Sequence, residues 1–464
     1  MLFFEIDFLL FISVFLTIYC FLRGTPRISF ILLASYIFYG WWDYRFLALL
    51  LISTLVDYAV GLKLENEQQT QKRKMLLVAS LCTNLGILFF FKYFNFFLDS
   101  FYYAFNVSSS DRYLLEIALP PGISFYTFQT LSYTIDVYQK RFPAEKSLLA
   151  FSTYVAFFPQ LIAGPIERPG KLLPQIKKEV SFQWPNIYVG FRYFLCGCFK
   201  KMFIADNLAK VADKAFAAPD QTTSIGLLIG AYCFALQIYC DFSGYSDMAR
   251  GLAKCIGINL SNNFNLPYLS ASLGEFWRRW HITLSYWLRD YVYIPLGGSR
   301  SGITGHIRNL LITFTLSGLW HGADWNFVLW GILHAVWITF ELIARQVTTF
   351  RLPKILSIFI TLNIVVLLWV LFRADSVSTA LIYYKNLIAP TTSYFVDGDL
   401  ATLAMLAFYS SPLVLFSLWQ YSSDTLTPDY KMNNYVHASA LGVILFVMIF
   451  LGAENGQQFI YFQF

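Results

Sequence analysis

Leu310–Trp330 runs LLITFTLSGLWHGADWNFVLW. Eleven uncharged residues lead to a histidine, His321, framed by Trp320 and Gly322, with Gly318 just before it and Asp324 just after. If the run crosses a membrane, that imidazole lies at membrane depth, where an ionisable ring is costly without a polar partner or a wet cavity. Its default reading is therefore functional.

The rest of the chain supports the membrane premise. Of 464 residues, 57% are hydrophobic, 19% aromatic and only 13% charged, and the mean hydropathy is +0.53. Soluble domains carry about 25% charged residues, so this chain cannot solvate a surface of its size. Runs long enough to cross a ~30 Å hydrocarbon layer recur from end to end. They lie near Phe8–Leu22, Ile28–Gly40, Phe46–Leu62, Met75–Leu98, Ile117–Val137, Leu148–Ile162, Ile187–Ile204, Ile225–Phe242, Ile307–Leu319, Phe327–Ile343, Ile355–Phe372, Thr402–Leu418 and Tyr435–Leu451. Several are short or broken by Gly and Pro, so the expectation is roughly eleven crossings plus re-entrant pieces. The fold class is an all-α polytopic integral membrane protein, read as one membrane-embedded domain over residues 1–464.

Arg23 and Arg27 follow the first run, and Lys63, Lys72, Arg73 and Lys74 separate the third from the fourth. Lys and Arg favour cytoplasmic loops, which puts the Trp41–Tyr44 turn and the Asp99–Glu116 segment outside. The first run lacks a basic leader and is read as a retained span. The seven cysteines show no metal or disulfide-framework spacing and are read as small core residues.

Two further stretches bring polar chemistry into apolar surroundings. Ala118–Arg141, ALPPGISFYTFQTLSYTIDVYQKR, starts with a Pro-Pro-Gly break and then carries Ser124, Tyr126, Thr127, Gln129, Ser132 and Tyr133. Such an element must be buried in protein or line a cavity. In Tyr239–Leu269, Asp241, Ser243, Tyr245, Ser246, Asp247 and Arg250 follow an apolar run, and helical spacing lets Asp247 pair Arg250.

Ser272-Leu-Gly-Glu275 matches a capping box. It is expected to open one helix from Phe276 to Gly298, FWRRWHITLSYWLRDYVYIPLGG, in the membrane interface. On that helix Trp277, His281, Leu284 and Leu288 would share a face. Arg278, Arg279 and Arg289 suit either acidic headgroups or the phosphates of a donor such as coenzyme A. His281 is read as either a functional or a hydrogen-bonded structural histidine. Gly318 and Gly322 would let backbone approach closely on both sides of His321, as a substrate channel would require, and a neutral imidazole there could take a proton from a hydroxyl.

A metal site is not expected. His334 follows His321 by 13 positions, 334 − 321, which matches no zinc spacing, and there is no H-E-x-x-H. No G-x-S-x-G elbow and no G-x-x-x-x-G-K loop is present, which argues against serine hydrolysis and an ATP-driven pump.

FWRRWHITLSYWLRDYVYIPLGGSR (Phe276–Arg300) followed by LSGLWHGADWNFVLWGILHA (Leu316–Ala335) strongly resembles the membrane-bound O-acyltransferase family. PPGISFYTFQTLSYTIDVY, GPIERP, YCDFSGYSDMA and the C-terminal QQFIYFQF are similar to its bacterial alginate O-acetylation branch. The resemblance implies a ring of tilted helices around a funnel, His321 as the catalytic residue and His281 as the second site residue. It also implies a multi-pass protein of the bacterial inner membrane, with no bound cofactor. The residues fit a donor such as acetyl-coenzyme A or another acyl thioester entering from the side that carries Arg278, Arg279, Arg289 and Arg300, beside Trp280. The acceptor would be an exopolysaccharide such as alginate, often reached through periplasmic acetyltransferase partners, and nucleic acid has no part. Two other readings remain: a lipid or acyl-group transporter, and a scaffold for periplasmic acetyltransferases.

Overall fold

The computed structural model describes residues 1–464 apart from 2, 109–111, 180–182, 349, 351, 424–433, 454–458 and 461–464. Of the C-terminal QQFIYFQF, Phe459 and Ile460 are therefore described, and most of the Ser422–Lys431 stretch lies outside the described residues. Helices account for all the regular structure among the described residues. Six are long and apolar enough to cross a membrane: Phe46–Asn66, Thr70–Ala104, Ser224–Cys255, Trp325–Val347, Lys354–Arg373 and Gly398–Tyr421.

Several runs depart from their expected spans for local reasons. Leu148–Ile162 divides at Phe157 into Leu148–Ala156 and Phe158–Leu161, because Pro159 suits only the first turn of a helix. The Ser224–Cys255 helix continues well past Phe242. Its acidic residues do not end it, because Asp241 and Asp247 meet Lys201 and Lys200 inside the protein.

The chain forms two compact units, Met1–Phe194 with Met248–Ser261, and Leu195–Asp247 with Asn262–Phe464. In the first, the helix Ile123–Tyr138 buries fourteen of its sixteen residues, so protein surrounds it. Gly122 precedes it at φ +71°, where a Cβ would collide with the Leu161 carbonyl. Its Thr134 donates to the buried Asp57 carboxylate at 3.1 Å, and Asn84 Nδ2 donates to the same group at 2.9 Å. Ser80 is a further hydrogen-bond partner of Asp57.

Two arginines of this unit close helix C-termini, where carbonyls lack intrahelical partners. Arg27 donates to Ile176 and Lys178 carbonyls at 2.6 and 2.7 Å. Arg73 donates to the Tyr138 carbonyl at 2.6 Å and also meets the Leu64 carbonyl.

The second unit contains the hairpin of Gly302–His321 and Trp325–Val347. Asp324 caps the second helix by accepting from the Asn326 N–H at 3.4 Å. The two helices approach to backbone contact: a Cβ on Gly318 would collide with the Phe327 carbonyl, and one on Gly331 with that of Phe314. The close backbone approach expected at Gly318 is thus present, and it serves the packing of these two helices.

The expected single helix from Phe276 to Gly298 does not form. Leu273–Arg279 and Ile282–Leu288 are separate helices, followed by a π-turn over Arg289–Tyr293. Trp280 is extended and His281 left-handed at φ 41°. The capping box does open the first of them: Ser272 Oγ accepts from the Glu275 N–H at 3.1 Å, and the Glu275 carboxylate accepts from the Ala271 N–H at 2.9 Å.

Candidate active site

His321 is the last residue of its helix, and extended Gly322 turns the chain away. The ring is 1% exposed. It stands edge-on to Trp320, Trp330 and Phe372, with centroid separations of 4.9, 5.3 and 5.4 Å. The fourth neighbour is His281, at 6.4 Å with the planes 73° apart. Two histidines forty positions apart, 321 − 281, thus face each other inside the second unit.

Aromatic side chains shield the His321 ring from solvent. Phe327 fills the space Gly322 leaves, because a Cβ there would collide with the phenyl ring. In this conformation, substrate reaches His321 only if aromatic side chains move aside.

His281 caps the helix that follows it. The Leu284 N–H donates to its Nδ1 at 3.3 Å, so the neutral ring carries its hydrogen on Nε2. That orientation depends on the left-handed backbone, which non-glycine residues seldom adopt and which clusters at functional sites. The ring is completely buried and packs on Phe242 at 4.7 Å and Trp320 at 5.7 Å.

Trp280, expected beside the donor, is also buried. It packs against Trp369 at 5.0 Å and Phe264 at 5.1 Å. The arginines are placed differently. Arg278 is exposed. Arg279 pairs with Glu275 at 2.7 Å, and Arg289 with Asp290 at 2.7 Å while lying over the Tyr286 ring at 4.4 Å. Two of the three thus have carboxylate partners, and the site proper consists of rings.

A buried ion network, not foreseen in the sequence, adjoins these rings. Lys201 sits between Asp206 at 2.8 Å and Asp241 at 3.1 Å, all three 2% exposed or less. Asp241 also accepts from the Ile460 N–H at 2.9 Å. The adjacent Phe459 packs on Tyr245 at 4.6 Å and on Phe242 at 6.0 Å, and Phe242 is the ring that rests on His281. Asp247, expected to pair Arg250, takes Lys200 at 2.7 Å, and the Arg250 guanidinium lies over Tyr193 at 4.6 Å. These partners are scattered over some 260 positions, so no local spacing announced them.

His334, considered in the sequence only as a metal ligand, packs on Trp330 at 4.7 Å. The signal was available: it is a second histidine within an apolar run.

With this geometry in hand, similarity to known proteins becomes informative. Residues 34–379 match the model of MBOAT, the membrane-bound O-acyltransferase family. The chain belongs to this family. It is 37% identical to the probable alginate O-acetylase AlgI of Azotobacter vinelandii, over 98% of both chains. It is 33% identical to the peptidoglycan O-acetyltransferase of Helicobacter pylori, over 94% of this chain and 91% of the relative. A teichoic acid D-alanyltransferase of Bacillus subtilis is 27% identical over 47% of this chain and 58% of its own. The protein is thus a multi-pass membrane O-acyltransferase.

Proposed function

We propose that this enzyme moves an acetyl group from a cytoplasmic acyl thioester, such as acetyl-coenzyme A, to a hydroxyl of an extracytoplasmic polysaccharide. The acceptor is alginate-like, or a partner acetyltransferase that passes the group on, and the setting is the bacterial inner membrane. The thioester is a substrate and no resident cofactor takes part. The observation that carries this reading is the meeting of His281 and His321, 6.4 Å apart in an aromatic enclosure. The full-length likeness to proteins named for polysaccharide O-acetylation supports the substrate class.

His321 takes the proton of the acceptor hydroxyl as its oxygen attacks the thioester carbonyl carbon. The C–S bond breaks, and the proton passes from the imidazolium to the leaving thiolate, so that ester and thiol are formed. His281, with its hydrogen on Nε2, donates to the carbonyl oxygen as negative charge builds there; donors so placed are worth about 10²–10³ in rate. Trp320, Trp330 and Phe372 exclude water, which protects the thioester from hydrolysis.

Purified protein supplied with acetyl-coenzyme A and a glycan acceptor should release thiol and acetylate the glycan. His321→Ala should lower that rate about 10²–10⁴-fold while the protein remains inserted and folded. Acetylation at near wild-type rate by this variant would end the assignment.

A further inference from the structure

Behind the histidine pair lies a second set of buried donors. The Trp277 indole N–H donates to His334 Nδ1 at 3.2 Å. An indole nitrogen only donates, so Nδ1 is the acceptor and the neutral His334 ring carries its hydrogen on Nε2. His334 is 1% exposed, and among the described residues Nε2 has no hydrogen-bond partner. The indole nitrogens of the fully buried Trp280 and Trp330 are in the same condition. The three donors belong to one cluster of rings. Trp330 touches His334 at 4.7 Å and His321 at 5.3 Å, and Trp369 joins Trp330 at 5.6 Å to Trp280 at 5.0 Å.

Buried donors seldom go without an acceptor, since each gives up its bonds to water. A cluster of three beside the reacting centre therefore suits a ligand that brings acceptors with it. We infer that His334 is a binding residue for the acyl donor, with its Nε2–H donating to a carbonyl oxygen of the thioester's arm. The chemistry of the cluster selects this occupant. Sugar hydroxyls must donate as well as accept, and these three groups only donate. A carboxylate would be desolvated among neutral rings. An amide or thioester carbonyl is uncharged and only accepts.

Trp277 is the positioning residue, because its indole fixes which nitrogen of His334 holds the hydrogen. The Trp330 indole contacts both His334 and His321, so His334 meets the donor away from its reacting carbon. Its loss weakens binding more than it slows the chemical step. The inference rests on the acyl-transfer reading above.

The test uses the purified full chain with acetyl-coenzyme A, measuring donor KM, kcat and thermal stability. H334F keeps the ring's bulk and removes both nitrogens, whereas H334Q restores an amide N–H near the Nε2 position. H334F should raise donor KM about tenfold with kcat within a few fold. H334Q should recover most of that loss at the same melting temperature, and W277F should fall between them. A wild-type donor KM in H334F, or equal impairment in H334F and H334Q, would overturn the inference and leave His334 a packing ring. Should H334F fail to fold, W277F with an unchanged donor KM overturns it equally. His321→Ala, assayed for acetyl-coenzyme A binding and for turnover, separates the two claims. Unimpaired turnover there defeats the general base, while the H334F and H334Q comparison still decides the donor site.

Discussion

His281 holds φ 41° and ψ 53°, a backbone region that asparagine enters more readily than most residues. Asparagine is also a good helix N-cap, and replacing a cap by alanine costs about 1 kcal/mol. His281→Asn should therefore keep the wild-type melting temperature and lose acetyl transfer, whereas His281→Ala should lose both. A fully active His281→Asn would reduce the residue to a cap. Both histidines were legible in the sequence because ionisable rings stand out in apolar runs. Their partnership came only through the family resemblance and not from periodicity, because the helical pattern runs uninterrupted through Trp280 and His281. The break arises from tertiary burial of Trp280 and from the capping bond of the imidazole, neither of which leaves a mark in local periodicity. Asp57 was overlooked for the opposite reason: a carboxylate in the middle of an apolar run was visible, but its partners Ser80, Asn84 and Thr134 come from two other helices.

At the scale of elements, the π-turn Lys200–Ala205 brings Lys201 to two carboxylates from different helices. Asp206 opens the next helix, and Asp241 comes from within Ser224–Cys255. With all three groups buried, removal of the lysine leaves two carboxylates without their cation. Lys201→Met should destabilise the protein by about 3–5 kcal/mol, read as a lower apparent melting temperature in detergent. Because Asp241 also holds the Ile460 N–H beside Phe459 and Phe242, the variant should lose activity even at temperatures where it stays folded. Unchanged melting and unchanged turnover would show that the network braces nothing. Lys200 and Lys201 follow an apolar run, where basic residues are usually interfacial anchors. Only the long-range contact with Asp241 distinguishes a buried lysine from a snorkelling one.

For the molecule as a whole, apolar side chains cover the outer faces of the spanning helices: only 17% of the Thr70–Ala104 window and 6% of the Gly398–Tyr421 window are buried. Such surfaces are stable against lipid and would aggregate in water. Membrane class was thus fully legible from composition, and orientation follows from charge. In the first unit, Arg73 ties the C-termini of Phe46–Asn66 and Ile123–Tyr138 together, so Lys63, Lys72, Lys74, Lys140 and Arg141 collect at one end. Arg27 has its own structural task at the Ile176 and Lys178 carbonyls, and Lys177 pairs with Glu145 at 3.0 Å. The opposite end, residues 41–45, 105–108 and 112–121, holds Arg45 and Arg112, and Arg45 is already paired with Asp43 at 2.6 Å. Lys and Arg near span ends set orientation, so the charge pattern predicts that the first end faces the cytoplasm. In a background without the seven native cysteines, Tyr113→Cys should react with a membrane-impermeant maleimide on intact cells. Lys72→Cys should react only after permeabilisation, and the reverse pattern would invert the topology. The cytoplasmic thioester and the extracytoplasmic hydroxyl would then have to exchange sides, and the proposed direction of acyl transfer would fall with them.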